Sequence, residues 1–369
     1  MPAYNKQTRL IDTQPQLDAL CAELGERTVI AMDTEFVRTQ TYFARLCLIQ
    51  IATESHLVCI DVVADLNTRP FREILIGGTG LKTLHAAKQD LEAMYTSYGQ
   101  LPEPIFDTQI AAGLLGHQPQ IGYANLVEAL LGIQLDKGQT RTDWSRRPLT
   151  TAQIEYAIDD VLYLNQLHSI LQDKLEAAGR YAWVLEDSQR LTDRSLYEAR
   201  AEDAWQRLSG LAYLPIAIQA RARQLAAWRE IRARKLDRPR QWILTDKALL
   251  GIAEANPEDQ TGLSQLPGLP PAVARNQGKK LLEVLRQANH DVEDGCIDFS
   301  QQSKPEAPDK NAVKQLANIV RDTADELGIS PDLLATRRDI TALLRGHHNI
   351  KPLGGWRKAI IGARLLAAL

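Results

Sequence analysis

The sequence has few of the features that direct a protein to a membrane, a disulfide-stabilised fold or a zinc site. Its 369 residues include four cysteines, Cys21, Cys47, Cys59 and Cys296, and no two are close enough for a zinc knuckle or a redox pair. No apolar run approaches the roughly 20 residues of a membrane span, and the polar N-terminus lacks a signal-peptide core. We therefore expect a cytoplasmic protein with no membrane partner.

The chain also lacks a strong net charge and a phosphate-binding loop. The glycine cluster at 77–80 is neither fed by a predicted strand nor followed by Lys-Ser/Thr. The net charge is −3, but residues 211–290 contain 13 Lys/Arg against 7 Asp/Glu, and residues 291–369 are close to neutral, so the net negative charge lies in residues 1–210. This pattern suits a cation-using enzyme joined to a polyanion-binding module, although ordinary variation in composition would also produce it.

The length predicts two or three domains. Strand-like runs occupy the first part of the chain, at 29–33, 44–52, 57–63, 81–85 and 105–106. Helical patterns then dominate, including a long helix from 150 to about 178 with a capping box of Thr150 and Gln153. We therefore expect an α/β domain with one mixed sheet over residues 1–205.

The rest of the chain is predicted to be helical and to contain an internal repeat. The apolar spacing of 225–236 recurs at 316–327, and Leu249 corresponds to Ile340, at a constant offset of 91 residues. Chance similarity between amphipathic helices would explain part of this match. The pattern favours a helical domain at 211–292, a polar linker at 293–310 and a second, divergent helical domain at 311–369.

An apolar run near the start of the chain leads into two closely spaced acids. Residues 29–32 predict a buried strand, and Asp33 and Glu35 stand where that strand is expected to end. Residues two apart in a strand point to the same face, so the two carboxylates would lie together at the rim of a sheet. Such a pair needs a shared proton, a basic partner or a bound cation. A strand followed by an acidic turn is the simpler alternative.

Two later segments could bring further acids to the same rim. Asp90 stands at the start of a predicted helix that follows a strand. Tyr156 and Asp160 are four residues apart on the long predicted helix and share one face of it. Separately, Asp90 could be a helix cap, and Tyr156 with Asp160 could be a half-buried ring beside a solvated acid. Together with the first pair they make four acids and a tyrosine.

This set resembles the DEDD family of 3′→5′ exonucleases, in its tyrosine subgroup. That family combines Asp-x-Glu at the end of a first strand, a later Asp and a helical Tyr-x-x-x-Asp. Segments similar to the bacterial ribonuclease D family extend the resemblance: Asp33–Arg38, Leu84–Ala86, Gln89–Glu92, Arg141–Trp144 and Arg147–Leu149. The helical modules resemble the HRDC domains of that family. The resemblance is closest over residues 29–165 and weakest in the second module.

The resemblance implies both a fold and a cofactor. The fold is a ribonuclease H-like mixed sheet with flanking helices, followed by two small all-α HRDC-like domains. The cofactor is a pair of divalent cations, Mg²⁺ or Mn²⁺, which act on the attacking and leaving oxygens of a phosphodiester. By the family pattern Asp33 would be shared by both ions, Glu35 and Asp160 would complete the site of the attacking water, Asp90 would serve the second ion, and Tyr156 would orient the water.

Residues for substrate binding are predicted from residue type. Single-stranded ends are held by base stacking and basic side chains. The candidates are Phe36, His85, Arg141, Trp144, Arg146, Arg147, Arg229 and Arg232. Alternatives remain open for each: Phe36 could pack in the core, His85 could be structural, and the basic side chains could belong to a solvated loop and a solvated helix face.

The resemblance implies a 3′→5′ exoribonuclease that releases 5′-mononucleotides from RNA with a single-stranded 3′ end, tRNA precursors being the expected substrate. No obligate protein partner is evident, and we expect a monomer. One alternative is a DNA-directed exonuclease with the same chemistry, which the lack of a polymerase domain disfavours. The other is a non-catalytic RNA-binding protein with a degenerate nuclease core, which the complete motif set disfavours.

Overall fold

The computed structural model describes residues 10–24, 29–135, 142–303 and 308–369. It divides into two units. Unit 1 comprises residues 1–37, 45–194 and 307–369, and unit 2 comprises residues 38–44 and 195–306. Arg141 lies outside the described residues. Within the described part of the chain, no helix is both long and apolar enough to cross a membrane.

Unit 1 is built on a six-stranded mixed sheet with the order β1-β4-β3-β2-β5-β6. The strands are β1 (Leu10–Ile11), β2 (Val29–Val37), β3 (Arg45–Ala52), β4 (Leu57–Asp61), β5 (Leu81–Leu84) and β6 (Ile105–Asp107). The pairs β2–β3 and β3–β4 are antiparallel, whereas β1–β4, β2–β5 and β5–β6 are parallel. β2 therefore lies inside the sheet with a neighbour on each side, and its apolar run is buried as expected.

Helices flank this sheet, which confirms the predicted fold class. They are α1 (Gln14–Leu24), α2 (Arg69–Gly77), α3 (Lys88–Tyr98), α4 (Thr108–Leu114), α5 (Tyr123–Leu131), α6 (Thr151–Leu162), α7 (Leu164–Ala177) and α8 (Tyr181–Gln189). The predicted capping box at Thr150 and Gln153 is present at the start of α6. The prediction of one long helix from 150 to about 178 is wrong in one respect, because the structure has two helices, α6 and α7, separated at Tyr163. There the backbone N–H bonds the Tyr123 hydroxyl at 3.1 Å instead of continuing a regular helix.

The strand carrying the first two acids is longer than predicted. β2 continues to Val37, so Asp33 and Glu35 lie inside it rather than at its end. Its partner β3 pairs with it as far as Arg45, across a register shift between Glu35 and Phe36. The extra pairing explains the length, since polar residues remain in a strand when a neighbour satisfies their backbone groups.

Unit 2 is helical around its own apolar core. Its main helices are α9 (Ile216–Leu236), α10 (Arg240–Ile243), α11 (Asp246–Ala255), α12 (Gln260–Ser264) and α13 (Pro271–Glu293). Leu225, Leu249 and Leu281 come from three of these helices and are fully buried together. Ala204 and Leu208 join the same core, so this packing begins before residue 211. Part of the predicted linker also packs here, because the Phe299 ring lies 3.6 Å from the Arg223 guanidinium carbon.

The last helical module belongs to unit 1. Its helices are α14 (Lys310–Leu327), α15 (Pro331–Leu334), α16 (Arg337–Leu344), α17 (Gly355–Arg357) and α18 (Ala363–Leu366), the last two joined by a π-helical turn. The bounds of α10 and α15 differ by the predicted 91 residues at both ends, which confirms the repeat. Leu316 and Leu334 share one buried cluster with Phe106 and Leu171 of the sheet region.

Candidate active site

Asp33 and Glu35 project from one face of β2 and meet Asp160 from α6. The carboxylate oxygens of these three residues all lie within 4.8 Å of one another. Alternation along the strand puts Asp33 and Glu35 on the same face, and α6 packs against β2 and β3, which brings Asp160 to that face. The predicted convergence of acids is therefore present for these three residues.

Asp90 joins the group through Thr34. It is the third residue of α3, which packs against β2, and its Oδ1 accepts a hydrogen bond of 2.6 Å from the Thr34 hydroxyl. Asp90 is buried, and its charge is close enough to raise the pKa of Asp33 and of Glu35. Sequence reasoning missed Thr34, because a threonine inside a strand is ordinary.

Burial, and for three of the acids also nearby negative charge within the group, disfavours the ionised carboxylates. Burial, followed by the charges of Asp90, Asp160 and Glu35, raises the pKa of Asp33 well above its usual range. Burial and neighbouring acids raise the pKa of Glu35 to about 9. Burial is also the main reason why the pKa of Asp90 and that of Asp160 rise to about 7. A cation would remove this cost, because it stabilises the charged carboxylates.

Tyr156 lies beside the acids on α6. Its hydroxyl hydrogen-bonds the Asp160 carboxylate, which lowers the pKa of Asp160 against the larger effect of burial. Burial and the nearby carboxylates raise the pKa of Tyr156, so the phenol keeps its proton and can donate it in a hydrogen bond. The Trp144 ring packs near Tyr156, with centroids 6.2 Å apart, and only 5% of Trp144 is exposed.

His85 lies in the turn after β5, where polar partners hold its ring. Its Nδ1 is 2.9 Å from the Thr108 hydroxyl and its Nε2 is 2.9 Å from the Ile121 carbonyl oxygen. Burial lowers the pKa of His85. Both ring nitrogens therefore have protein partners, which is the arrangement expected of a structural histidine.

Two predicted substrate residues are held by other parts of the protein. The Arg147 guanidinium makes a bidentate pair with Asp61, with distances of 2.5 and 2.6 Å, and also donates to the Cys47 carbonyl oxygen. Arg229 in α9 is 2% exposed and donates to the Leu244 carbonyl oxygen and to Asp246. Neither side chain presents a free guanidinium at the surface.

The other predicted substrate residues differ in exposure. Phe36 follows Glu35 in β2 and is half-buried. Arg232 in α9 is also half-buried, whereas Arg146 is exposed and pairs with Asp143 at 3.1 Å. Phe36 and Arg232 thus keep part of their side chains accessible to a ligand.

Family models match three successive parts of the chain. A 3′-5′ exonuclease model matches residues 8–176, an HRDC domain model matches 218–285, and a model described as Ribonuclease D, C-terminal HRDC domain matches 308–365. The first match contains all four acids and Tyr156, and the other two contain the repeated helices.

Relatives match this chain over most of its length. The chain is 35% identical to ribonuclease D of Granulibacter bethesdensis over 97% of this chain and 91% of the relative, and 37% identical to that of Sphingobium indicum over 94% and 91%. It matches the crystal structure of Escherichia coli RNase D with a TM-score of 0.89 and 33% identity, covering 98% of both chains. The resemblance inferred from the motifs is thereby confirmed: the chain belongs to the ribonuclease D family and is a 3′→5′ exoribonuclease.

Proposed function

We propose that the chain removes nucleotides one at a time from single-stranded RNA 3′ ends, including those of tRNA precursors, and releases 5′-mononucleotides. The observation that carries this proposal is the convergence of the Asp33, Glu35 and Asp160 oxygens within 4.8 Å. The Escherichia coli relative is described as an exoribonuclease involved in structured RNA processing. That description supports a structured RNA as the substrate.

Two divalent cations, Mg²⁺ or Mn²⁺, fit the donor set. Clustered carboxylates whose pKa values are raised, mainly by burial, need added positive charge before they can all ionise near neutral pH. Asp33, Glu35 and Asp160 would hold one ion, and Asp33 with Asp90 would hold the other. When bound, such ions activate water and offset the charge on a leaving oxygen.

The remaining side chains orient these groups and the substrate. The Thr34 hydroxyl bonds Asp90, and the Tyr156 hydroxyl, which bonds Asp160, would orient the attacking water. Phe36 can offer its accessible ring surface to the terminal base. Arg232 can contact the RNA backbone.

We propose the functional division expected from the sequence: the exonuclease domain at 1–205, helical modules at 211–292 and 311–369, and a linker at 293–310. The family-model matches at 8–176, 218–285 and 308–365 support the three modules. All four acids and Tyr156 come from one chain, so this group of residues needs no second subunit, and we propose a monomer. We also propose that it acts on RNA precursors in the cytoplasm.

The proposal is tested by incubating 5′-labelled single-stranded RNA with the full chain in Mg²⁺, in Mn²⁺ and with a chelator. We expect stepwise shortening from the 3′ end that requires the cation, with 5′-mononucleotides as the product. Asp33→Asn should lower the rate by at least about 1000-fold, because it removes the carboxylate shared by both ions.

The matched control is Asp159→Asn, which changes the neighbouring acid on α6 and should still shorten the RNA. Circular dichroism checks that both variants are folded. Full activity of Asp33→Asn would refute the metal assignment. A matched DNA oligomer tests the substrate class, since faster cleavage of DNA than of RNA would contradict the RNA assignment.

A further inference from the structure

A patch on unit 2 exposes aromatic and apolar side chains beside basic ones. Trp242 is 58% exposed, Leu236 is 46% exposed and Phe43 is 36% exposed. The Arg238 guanidinium carbon lies 5.8 Å from the centre of the Trp242 ring. We call Phe43, Leu236, Arg238 and Trp242 the Trp242 surface. Large side chains exposed together on a folded protein commonly mark a binding site.

Polar contacts hold the two segments of this surface together. The Asp237 carboxylate accepts hydrogen bonds of 3.0 Å from the backbone N–H groups of Tyr42 and Phe43. The Tyr42 hydroxyl bonds Glu230 and accepts a 2.9 Å bond from Arg240. Glu230 is fully buried, and Arg240 neutralises it. The surface is thus ordered before any ligand arrives, which reduces the entropy lost on binding.

The charge around the surface favours an anionic ligand. Arg232, Arg234, Lys235 and Arg238 lie on the last turns of α9 and the segment after it. Among the described residues, none of these four cations forms an ion pair with an acid. An exposed tryptophan beside Arg238, next to a helix end that carries three further cations, matches what unpaired nucleotides need, because their bases stack and their phosphates are negative.

We propose that the Trp242 surface binds unpaired nucleotides of the RNA substrate, with a base stacked on Trp242 and a phosphate beside Arg238. This inference rests on the proposed function, because it assigns part of the same RNA to unit 2. An apolar protein partner fits less well, since Arg238 lies beside the Trp242 ring and three further cations stand on the helix end that carries Leu236.

The test measures the affinity of the full chain for a fluorescent 15-nucleotide single-stranded RNA, by anisotropy, with chelator present to prevent cleavage. We expect Trp242→Ala and Trp242→Leu to weaken binding about 10-fold or more, and Trp242→Phe to weaken it far less, because only Phe keeps a stacking face. Arg238→Ala should weaken binding and lower the slope of log affinity against log salt by about 0.7.

Leu366→Ala is the matched control, because Leu366 is 44% exposed but lies in α18 of unit 1; it should bind as the wild type does. Equal affinity of Trp242→Ala and the wild type, in a protein that shortens RNA, would overturn this inference and leave the proposed function standing. A wild type that shortens no RNA would instead refute the proposed function. A Trp242→Ala variant that loses only self-association, measured by gel filtration, would make the surface a protein contact and also overturn the inference.

Discussion

The buried carboxylate of Asp107 holds Ala86 in a left-handed backbone conformation. The φ angle of Ala86 is +58°, which is unfavourable for a residue with a Cβ atom. Asp107 accepts hydrogen bonds from the N–H groups of Ala86 at 3.1 Å and Ala87 at 2.9 Å, while also capping α4. This turn joins β5 to α3, so Asp107 anchors the backbone directly before the helix that carries Asp90.

We therefore predict that Asp107→Asn lowers the affinity for divalent cations. The amide replaces an acceptor oxygen with a donor that faces backbone N–H groups, so the turn relaxes and Asp90 shifts. Loss of such a supporting contact typically costs about 10- to 100-fold in metal affinity. Calorimetric titration of the variant with Mn²⁺, without RNA, measures the change.

Asp309→Asn is the matched control, because Asp309 also caps a helix through two backbone N–H groups but lies at the start of α14. It should bind Mn²⁺ with wild-type affinity. If Asp107→Asn did so as well, the turn would not be what positions Asp90.

The clustered acids predict a stability that falls with rising pH unless a cation is present. The pKa of Asp90 and that of Asp160 rise to about 7 and that of Glu35 to about 9, whereas unfolded carboxyls titrate near about 4. Between these limits the folded chain binds more protons than the unfolded chain, so the free energy of unfolding falls as pH rises. We expect Mg²⁺ to stabilise the chain more at pH 9 than at pH 5.

Thermal unfolding with chelator and with Mg²⁺, at pH 5, 7 and 9, measures this effect as a difference in Tm at each pH. Because the two samples at each pH differ only in Mg²⁺, the titration of groups elsewhere in the chain affects both Tm values equally. Asp33→Asn should show a smaller effect of Mg²⁺ at every pH. If the Mg²⁺-induced shift in Tm did not grow with pH, the raised pKa values of the acids in the folded chain without cation would be contradicted.

Removal of the Tyr156 hydroxyl should slow the chemical step. Tyr156→Phe keeps the ring that packs near Trp144 but loses the donor bonded to Asp160. We expect kcat to fall about 100-fold, as for the loss of one positioned donor, with little change in KM. Single-turnover cleavage measures it, with Tyr98→Phe as the control because the Tyr98 hydroxyl lies beside Thr68 and Arg72 instead. An unchanged single-turnover rate would remove Tyr156 from the mechanism.

The sequence located the acids more reliably than it located the residues that support them. Asp33 and Glu35 share a face by strand alternation, and Tyr156 and Asp160 share one by helix periodicity, so local spacing was sufficient. Asp107 was visible only as a helix cap, because its bonds to the β5–α3 turn depend on the parallel pairing of β5 with β6.

Substrate residues were harder to predict, because their partners are distant in sequence. Arg147 pairs with Asp61, which is 86 residues away in the sequence. Arg229 of α9 pairs with Asp246, the first residue of α11. An arginine close to a tryptophan in the sequence suggests an RNA-binding site. In the structure, however, the guanidinium groups of Arg147 and Arg229 bind other parts of the protein. Only tertiary structure distinguishes a buried ion pair from a free cation.

The last helical module should be essential for the stability of unit 1. The Arg357 guanidinium is 1% exposed and forms a bidentate pair with Asp187 of α8, with distances of 2.7 and 2.6 Å. The neighbouring Trp356 ring stacks on Trp183 with centroids 4.3 Å apart. Loss of one partner from such a pair leaves a largely buried charge uncompensated, so we expect Arg357→Ala to cost about 3–5 kcal/mol in the free energy of unfolding.

Arg364→Ala provides the comparison, because Arg364 and Glu326 form an exposed pair in the same module and should contribute less than about 1 kcal/mol. Urea unfolding followed by circular dichroism measures both variants. If the module were an independent domain on a tether, Arg357→Ala would change only a separate transition, and the transition of the sheet would stay where it is. A shift of the sheet transition itself is expected, because Phe106 and Leu171 share their buried cluster with Leu316 and Leu334.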